Sequence, residues 1–197
     1  MEIDKKTYKL KPKNYTRKSY KKTQIVVGHT SRKDMRHFEG WLTRKNGYYK
    51  KVSHFSVDKD GSVYQHFNPN YYSEFLGSGQ DKIIISVSLV NEGWLKLNDM
   101  NVFVDWLGHT YGRDCDFVER GWRDKRYWSK YSDEQMDSLT KLLDHLCEEY
   151  DISRDVIENN VYDENIDIFK GITFRSNYFK DNTDVSPAFD IKKIKKD

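Results

Sequence analysis

Apolar residues come in short, separated bursts along the chain, and their spacing predicts strands interleaved with helices. Gln24-Ile25-Val26-Val27-Gly28 is a run of β-branched residues after a basic lead-in, which predicts a buried central strand. Met35, Phe38 and Leu42 then recur at helical spacing with Trp41 adjoining, and Asn46-Gly47 supplies a C-terminal stop. Val52 to Val57 and Ser62 to Phe67 flank Asp58-Lys59-Asp60-Gly61, a turn sequence that predicts a hairpin. Ile83 to Leu89 predicts a third strand, with Ile85, Val87 and Leu89 on one face and Ser86 and Ser88 on the other, toward a groove or a helix.

Ser132-Asp-Glu-Gln135 reads as a capping box opening a helix whose apolar stripe is Met136, Leu139, Leu143, Leu146 and Tyr150. Asp137, Lys141, Asp144 and Glu148 form its polar face, so the stripe is core packing and not a ligand site. Residues 98–131 are dense in aromatics and charges without a clean period and read as an insertion. The pattern predicts an α/β domain, a central mixed β-sheet flanked by helices.

Composition bounds the class. The 197 residues are enough for one domain with a real core, and at 15% aromatic much of the buried area must come from rings. No uncharged apolar run approaches membrane-spanning length and no signal-peptide core opens the chain, so neither a membrane span nor export by that route is expected. Cys115 and Cys147 lack metal-ligand spacing and read as reduced, buried thiols. Alanine occurs once, at Ala188, amid abundant Lys, Asn, Asp, Ile and Tyr, the bias of an AT-rich genome such as that of a phage or low-GC microbe. Nine Lys/Arg stand against Glu2 and Asp4 in residues 1–22, and four Lys against Asp190 and Asp197 at the other end, leaving the body net negative. Residues 1–22 are thus a basic N-terminal arm, 23–191 the domain and 192–197 a basic tail. These ends are either solvated, partly mobile extensions or a grip on an acidic partner surface or polyanion.

Four blocks, in order, carry a family resemblance: Ile-Val-Val-Gly-His-Thr, then Ser-His-Phe-Ser-Val-Asp-Lys-Asp-Gly-Ser-Val-Tyr-Gln, then Ile-Ser-Val-Ser-Leu-Val-Asn-Glu-Gly, then Phe-Arg-Ser-Asn-Tyr…Thr-Asp-Val-Ser-Pro-Ala-Phe-Asp. Over residues 23–191 the chain resembles the zinc-dependent N-acetylmuramoyl-L-alanine amidases, a family that includes phage lysozyme-type amidases and peptidoglycan recognition proteins. The resemblance implies a zinc ion held by two His and an Asp or Cys, with a Tyr and a Lys assisting, and a metal-bound water that attacks the amide.

Aligned to that pattern, Gly28 and Phe174 occupy the positions of the two ligand His, and neither can bind zinc. Asp184 keeps the third ligand position, while Ser53 replaces the Tyr and Asn182 the Lys. A lone carboxylate does not hold a catalytic zinc, so no cofactor is expected and the module reads as a degenerate amidase. Phe174 is expected to fill the space the metal left, and Asp184 to need a partner such as Arg175 or a backbone amide. His29, one residue past the ligand position, is expected to point to the opposite strand face as a packed or capping residue. His54 and His66 are candidates for the old substrate groove. A rescued site of His29, His54 and Asp184 is the minority alternative. His37, His109 and His145 read as surface or structural.

The functional expectation is an inactive amidase-like module, phage-encoded, in a virion or the host cytoplasm, binding a protein partner or peptidoglycan. Its rings either anchor that interface or complete the core. The alternative is a working zinc amidase that hydrolyses the lactyl–L-alanine bond. Nucleic-acid binding through residues 1–22 is given least weight.

Overall fold

The computed structural model describes residues 1–112 and 116–195. Cys115 and the end of the basic tail lie outside the described residues.

The apolar runs assemble into one mixed sheet. The first run is β1 (Gln24–His29); the hairpin is β2 (Phe55–Val57) and β3 (Val63–Gln65); the third run is β4 (Ile84–Leu89); and β10 (Gly171–Phe174) completes the set in the order β10-β1-β4-β2-β3. All neighbours are parallel except the β2–β3 hairpin. The hairpin closes through the Asp58 N–H to Ser62 carbonyl bond, with Gly61 at φ +85° where a side chain would be strained.

Alternation sorts the two faces. Ile25, Val27, Ile85, Val87, Leu89, Ile172 and Phe174 pack against Met136, Leu139, Leu142, Leu143 and Leu146 of α2 (Asp133–Tyr150), forming the main core. On the other face Val26 and Ile84 meet Phe75 and Leu76. The cap of α2 is only half of the expected box: the Ser132 hydroxyl accepts the Gln135 N–H at 3.1 Å, but the Gln135 amide donates to the Val57 and Val90 carbonyls. Those buried carbonyls at the strand ends need a donor more than the helix does. Helix α1 (His37–Thr43) sends Phe38 and Trp41 into a second cluster with Leu10, Val52 and Phe67, and Lys45, Asn46 and Gly47 leave it at positive φ.

One expectation gains detail and another needs correction. Residues 94–129, which overlap the expected insertion, form a second, antiparallel sheet of β5 (Trp94–Leu97), β6 (Phe103–Val104), β7 (Thr110–Gly112), β8 (Phe117–Trp122) and β9 (Lys125–Ser129), ordered β7-β6-β5-β9-β8. Phe103, Phe117 and Tyr127 pack ring on ring within it; Phe103 and Trp128 are buried, Phe117, Trp122 and Tyr127 are half-buried, and Trp106 stays 41% exposed. Nor is the basic arm a free extension. Asp4 bonds to Val63 and Gln65 on the β3 edge, Leu10 to His66 just past it and Thr16 to Tyr72 in the segment that follows, and Leu10 is buried. An open strand edge is covered by backbone pairing while the lysine heads stay in water. Lys22 is the exception: its buried ammonium donates to the Tyr71 and Lys82 carbonyls, and burial pulls its pKa down to about 8.

Candidate functional site

Parallel strands end together, and their carboxyl ends open onto a crevice. Here β1 and β4 deliver His29, Thr30 and Ser88 to a cleft of about 540 Å³ whose other walls come from residues 32–51, Phe75, Leu107, His109 and Arg175.

At its base three side chains meet. Asp184 has Oδ2 2.9 Å from Arg175 Nη1 and Oδ1 2.9 Å from His29 Nε2, and its side chain is 7% exposed. His29 Nδ1 lies 3.1 Å from the Tyr131 hydroxyl. Burial alone would raise the pKa of Asp184, but His29 and Arg175 outweigh it and hold the carboxyl below its usual range. Burial drives the Tyr131 phenol upward, so it stays protonated. Gly93, at φ +80°, makes room for the imidazole, since a Cβ there would stand 2.7 Å from His29 Nε2.

Arg175 is placed by a one-turn helix, α3 (Arg175–Tyr178). The Phe174 N–H donates to Asn177 Oδ1 at 2.7 Å, and the Asn177 amide is anchored on the Asn159 and Val161 carbonyls. The Arg175 stem lies against Gly28, where an added Cβ would meet Arg175 Cβ at 3.4 Å and the Phe75 ring at 3.3 Å.

Comparison with known proteins gives this cleft its context. The family profile described as N-acetylmuramoyl-L-alanine amidase matches residues 18–170. The chain belongs to that amidase family. The match stops just short of β10 and the block holding Phe174 and Asp184. Among solved structures, the chain is similar to the N-acetylmuramoyl-L-alanine amidase LysC from Clostridium intestinale URNW (16% identity, 98% of this chain and 95% of that one, TM-score 0.52). It is also similar to the endolysin LysCS of the same organism (15%, 98% and 92%, TM-score 0.54) and to the Staphylococcus aureus hydrolase AmiA (14%, 89% and 65%, TM-score 0.51). At such identities the likeness speaks for the fold. No curated protein sequence matches the chain.

Within this amidase-family fold the sequence-derived positions scatter. Phe174 does not fill a metal's place. It pairs with Val27 in the β1–β10 register, so alternation turns it into the core, where its ring meets Phe189 at 5.3 Å between centroids and it is fully buried. The residue beside Gly28 is the next one, Arg175. His29 does face away from Gly28, with Val27 and Leu89, yet at the strand's end it reaches Asp184.

His54 and His66 are not groove residues. His54 Nδ1 accepts the Ser86 N–H at 3.0 Å, and its Nε2 lies 3.1 Å from the Tyr71 carbonyl. His66 bridges the Tyr8 carbonyl and the Ser56 hydroxyl. Both are buried, and burial pulls each pKa to about 3, so both stay neutral. His54 therefore does not join His29 and Asp184. Ser53 is fully buried, and Asn182 serves the loop by accepting the Asp184 N–H at 2.7 Å.

Two histidines set aside on sequence line the cleft instead. His37 donates from Nδ1 to the Asp34 carbonyl at 3.0 Å, and His109 pairs with Asp105. The signal that would have found this wall is the basic stretch Ser31-Arg-Lys-Asp-Met-Arg-His37.

The residues here do not fit the family's zinc. His29 and Asp184 offer two donors, and among the described residues no group of three His, Cys, Asp or Glu side chains is placed to hold a metal. Gly28 offers no donor. A guanidinium already sits on Asp184, and a divalent ion would have to displace it against charge repulsion.

Proposed function

We propose that this chain is a zinc-free, non-hydrolytic member of the amidase family that binds cell-wall peptidoglycan in the cleft at the strand ends. The observation that carries the proposal is the Arg175–Asp184 ion pair beside Gly28: a fixed positive head takes the carboxylate that a metal would use, while the cleft above stays open. Shape and hydrogen-bonding surface outlast the reaction when ligands are lost. The AT-rich residue bias supports a phage setting, as a virion or accessory protein attached to the wall. Among the described residues no helix is long and apolar enough to cross a membrane.

Co-sedimentation with purified sacculi, with released amino groups measured in the same tubes, tests this. Saturable binding without amide cleavage, in buffer with or without added zinc, is expected. Zinc-dependent release of L-alanine amino groups would establish the working amidase instead, and absence of sedimentation would refute wall binding.

A further inference from the structure

The wall of the cleft is crowded with positive charge. Arg32, Lys33, Arg44 and Lys51 line it together with Arg36 and Arg175. The latter two are spoken for: Arg36 Nη2 lies 2.6 Å from Asp34 Oδ2, and Arg175 holds Asp184. Among the described residues no carboxylate stands within 4 Å of the other four, and of these Lys33, Arg44 and Lys51 are exposed. Burial and then the charge of Arg44 pull the pKa of Arg32 below its usual value, against the smaller opposing pull of Asp105 and Tyr49. Like charges concentrated in a concave surface raise the local concentration of anions.

Rings in and beside the cleft narrow the anion further. The Arg32 guanidinium lies 4.8 Å from the centre of Trp106, Arg44 5.5 Å from Tyr49, and Arg175 5.1 Å from Phe75. These contacts hold the cationic heads in place. Each takes one face of its ring, which leaves fewer faces on which a nucleic acid could stack its bases. A stem peptide carries too few carboxylates for four cations in so small a volume, whereas a phosphodiester chain carries one charge per repeat.

From this we propose that the cleft binds a base-free phosphodiester polymer, the polyol-phosphate type of wall polymer, through Arg32, Lys33, Arg44 and Lys51. This deepens the wall-binding reading by naming the chemistry the cleft selects, and it is tested apart from peptidoglycan.

The probe is a fluorescent oligo(glycerol phosphate), with binding followed by anisotropy. With four phosphate contacts and the single-strand salt slope of about −0.7 per contact, affinity should fall about 50-fold between 50 and 200 mM salt. With Arg32→Gln and Arg44→Gln together, two contacts remain and the fall should shrink to about 7-fold. Removing the exposed charges of Lys5 and Lys6 on the N-terminal arm should leave binding unchanged. The wild-type salt slope needs no variant, so a folding defect in the double variant does not remove the test. No measurable binding, a flat salt response, or equal binding of oligo-dT of the same charge would overturn the proposal. Binding to sacculi stripped of phosphate polymer, with none to the free oligomer, would sink this inference and leave the peptidoglycan reading standing. Loss of sacculus binding on stripping, with the free oligomer bound, would do the reverse.

Discussion

Replacing Arg175 by Met keeps the stem that covers Gly28 and removes the positive head from Asp184. Removing one partner of a buried pair costs about 3–5 kcal/mol. The Arg175 side chain is 28% exposed, which screens part of the interaction, and Asp184 keeps His29 at 2.9 Å. The expected loss is therefore about 2 kcal/mol, or a drop in Tm of about 6 °C for a domain of this size. Converting Asp184 to Leu in the same chain should recover at least half of it, since the stranded charge is gone. The pH dependence follows in sign. A carboxyl whose folded pKa lies below its unfolded value contributes stability that is present above pH about 4 and lost as pH falls through the folded pKa. Without the guanidinium, burial opposes ionisation with only His29 against it, so the variant should lose stability at higher pH than the parent. Urea denaturation from pH 3 to 7 reads both effects. A variant within 0.5 kcal/mol of the parent, with an unchanged acid profile, would refute the pairing that the site is built on.

Other perturbations probe the surroundings. His54 and His66 are held neutral with folded pKa values of about 3 against an ordinary 6.5, so the unfolded chain binds more protons between those values. Stability should fall as pH drops from 6 to 4, by about 3 kcal/mol per unit for the two together; urea midpoints that stay flat over that window would contradict their burial. Gly93→Ala sets a methyl against the His29 ring at positive φ and should cost about 3 kcal/mol. That cost should shrink when His29 is also Ala, and an equal cost in both backgrounds would show that the ring is not the obstacle. Gly28→His with Arg175→His returns donors beside Asp184 and removes the competing cation. This double variant should bind zinc in an equilibrium titration, and failure to do so would mean the cleft base is shaped against a metal by more than these two residues.

Much of the fold was legible because it is local. The β-branched run of β1, the Asp-Gly turn and the stripe of α2 each state their structure within a few residues. The second sheet was not: its strands are two to six residues long and, β6 apart, lie partly in solvent, so no alternation accumulates. The N-terminal arm misled for a different reason. Its charge count describes side chains, whereas its placement is set by backbone bonds to β3 and to the segment after it. At the site, the need of Asp184 for a partner could be read from residue identity, with Arg175 one of the two candidates, and the structure places Arg175 on it. The meeting of His29 with Asp184 could not be read, because it depends on where β1 ends relative to a loop far along the chain. Phe174 was misplaced because linear spacing does not say which face of β10 a residue takes.

Zinc titration of the freshly purified, chelator-free wild-type chain, followed by calorimetry and by elemental analysis after dialysis, tests the proposal of a metal-free site most directly. The Arg175–Asp184 pair predicts no saturable heat and a zinc content far below one per chain. One tightly held zinc per chain, lost on Asp184→Ala, would contradict it.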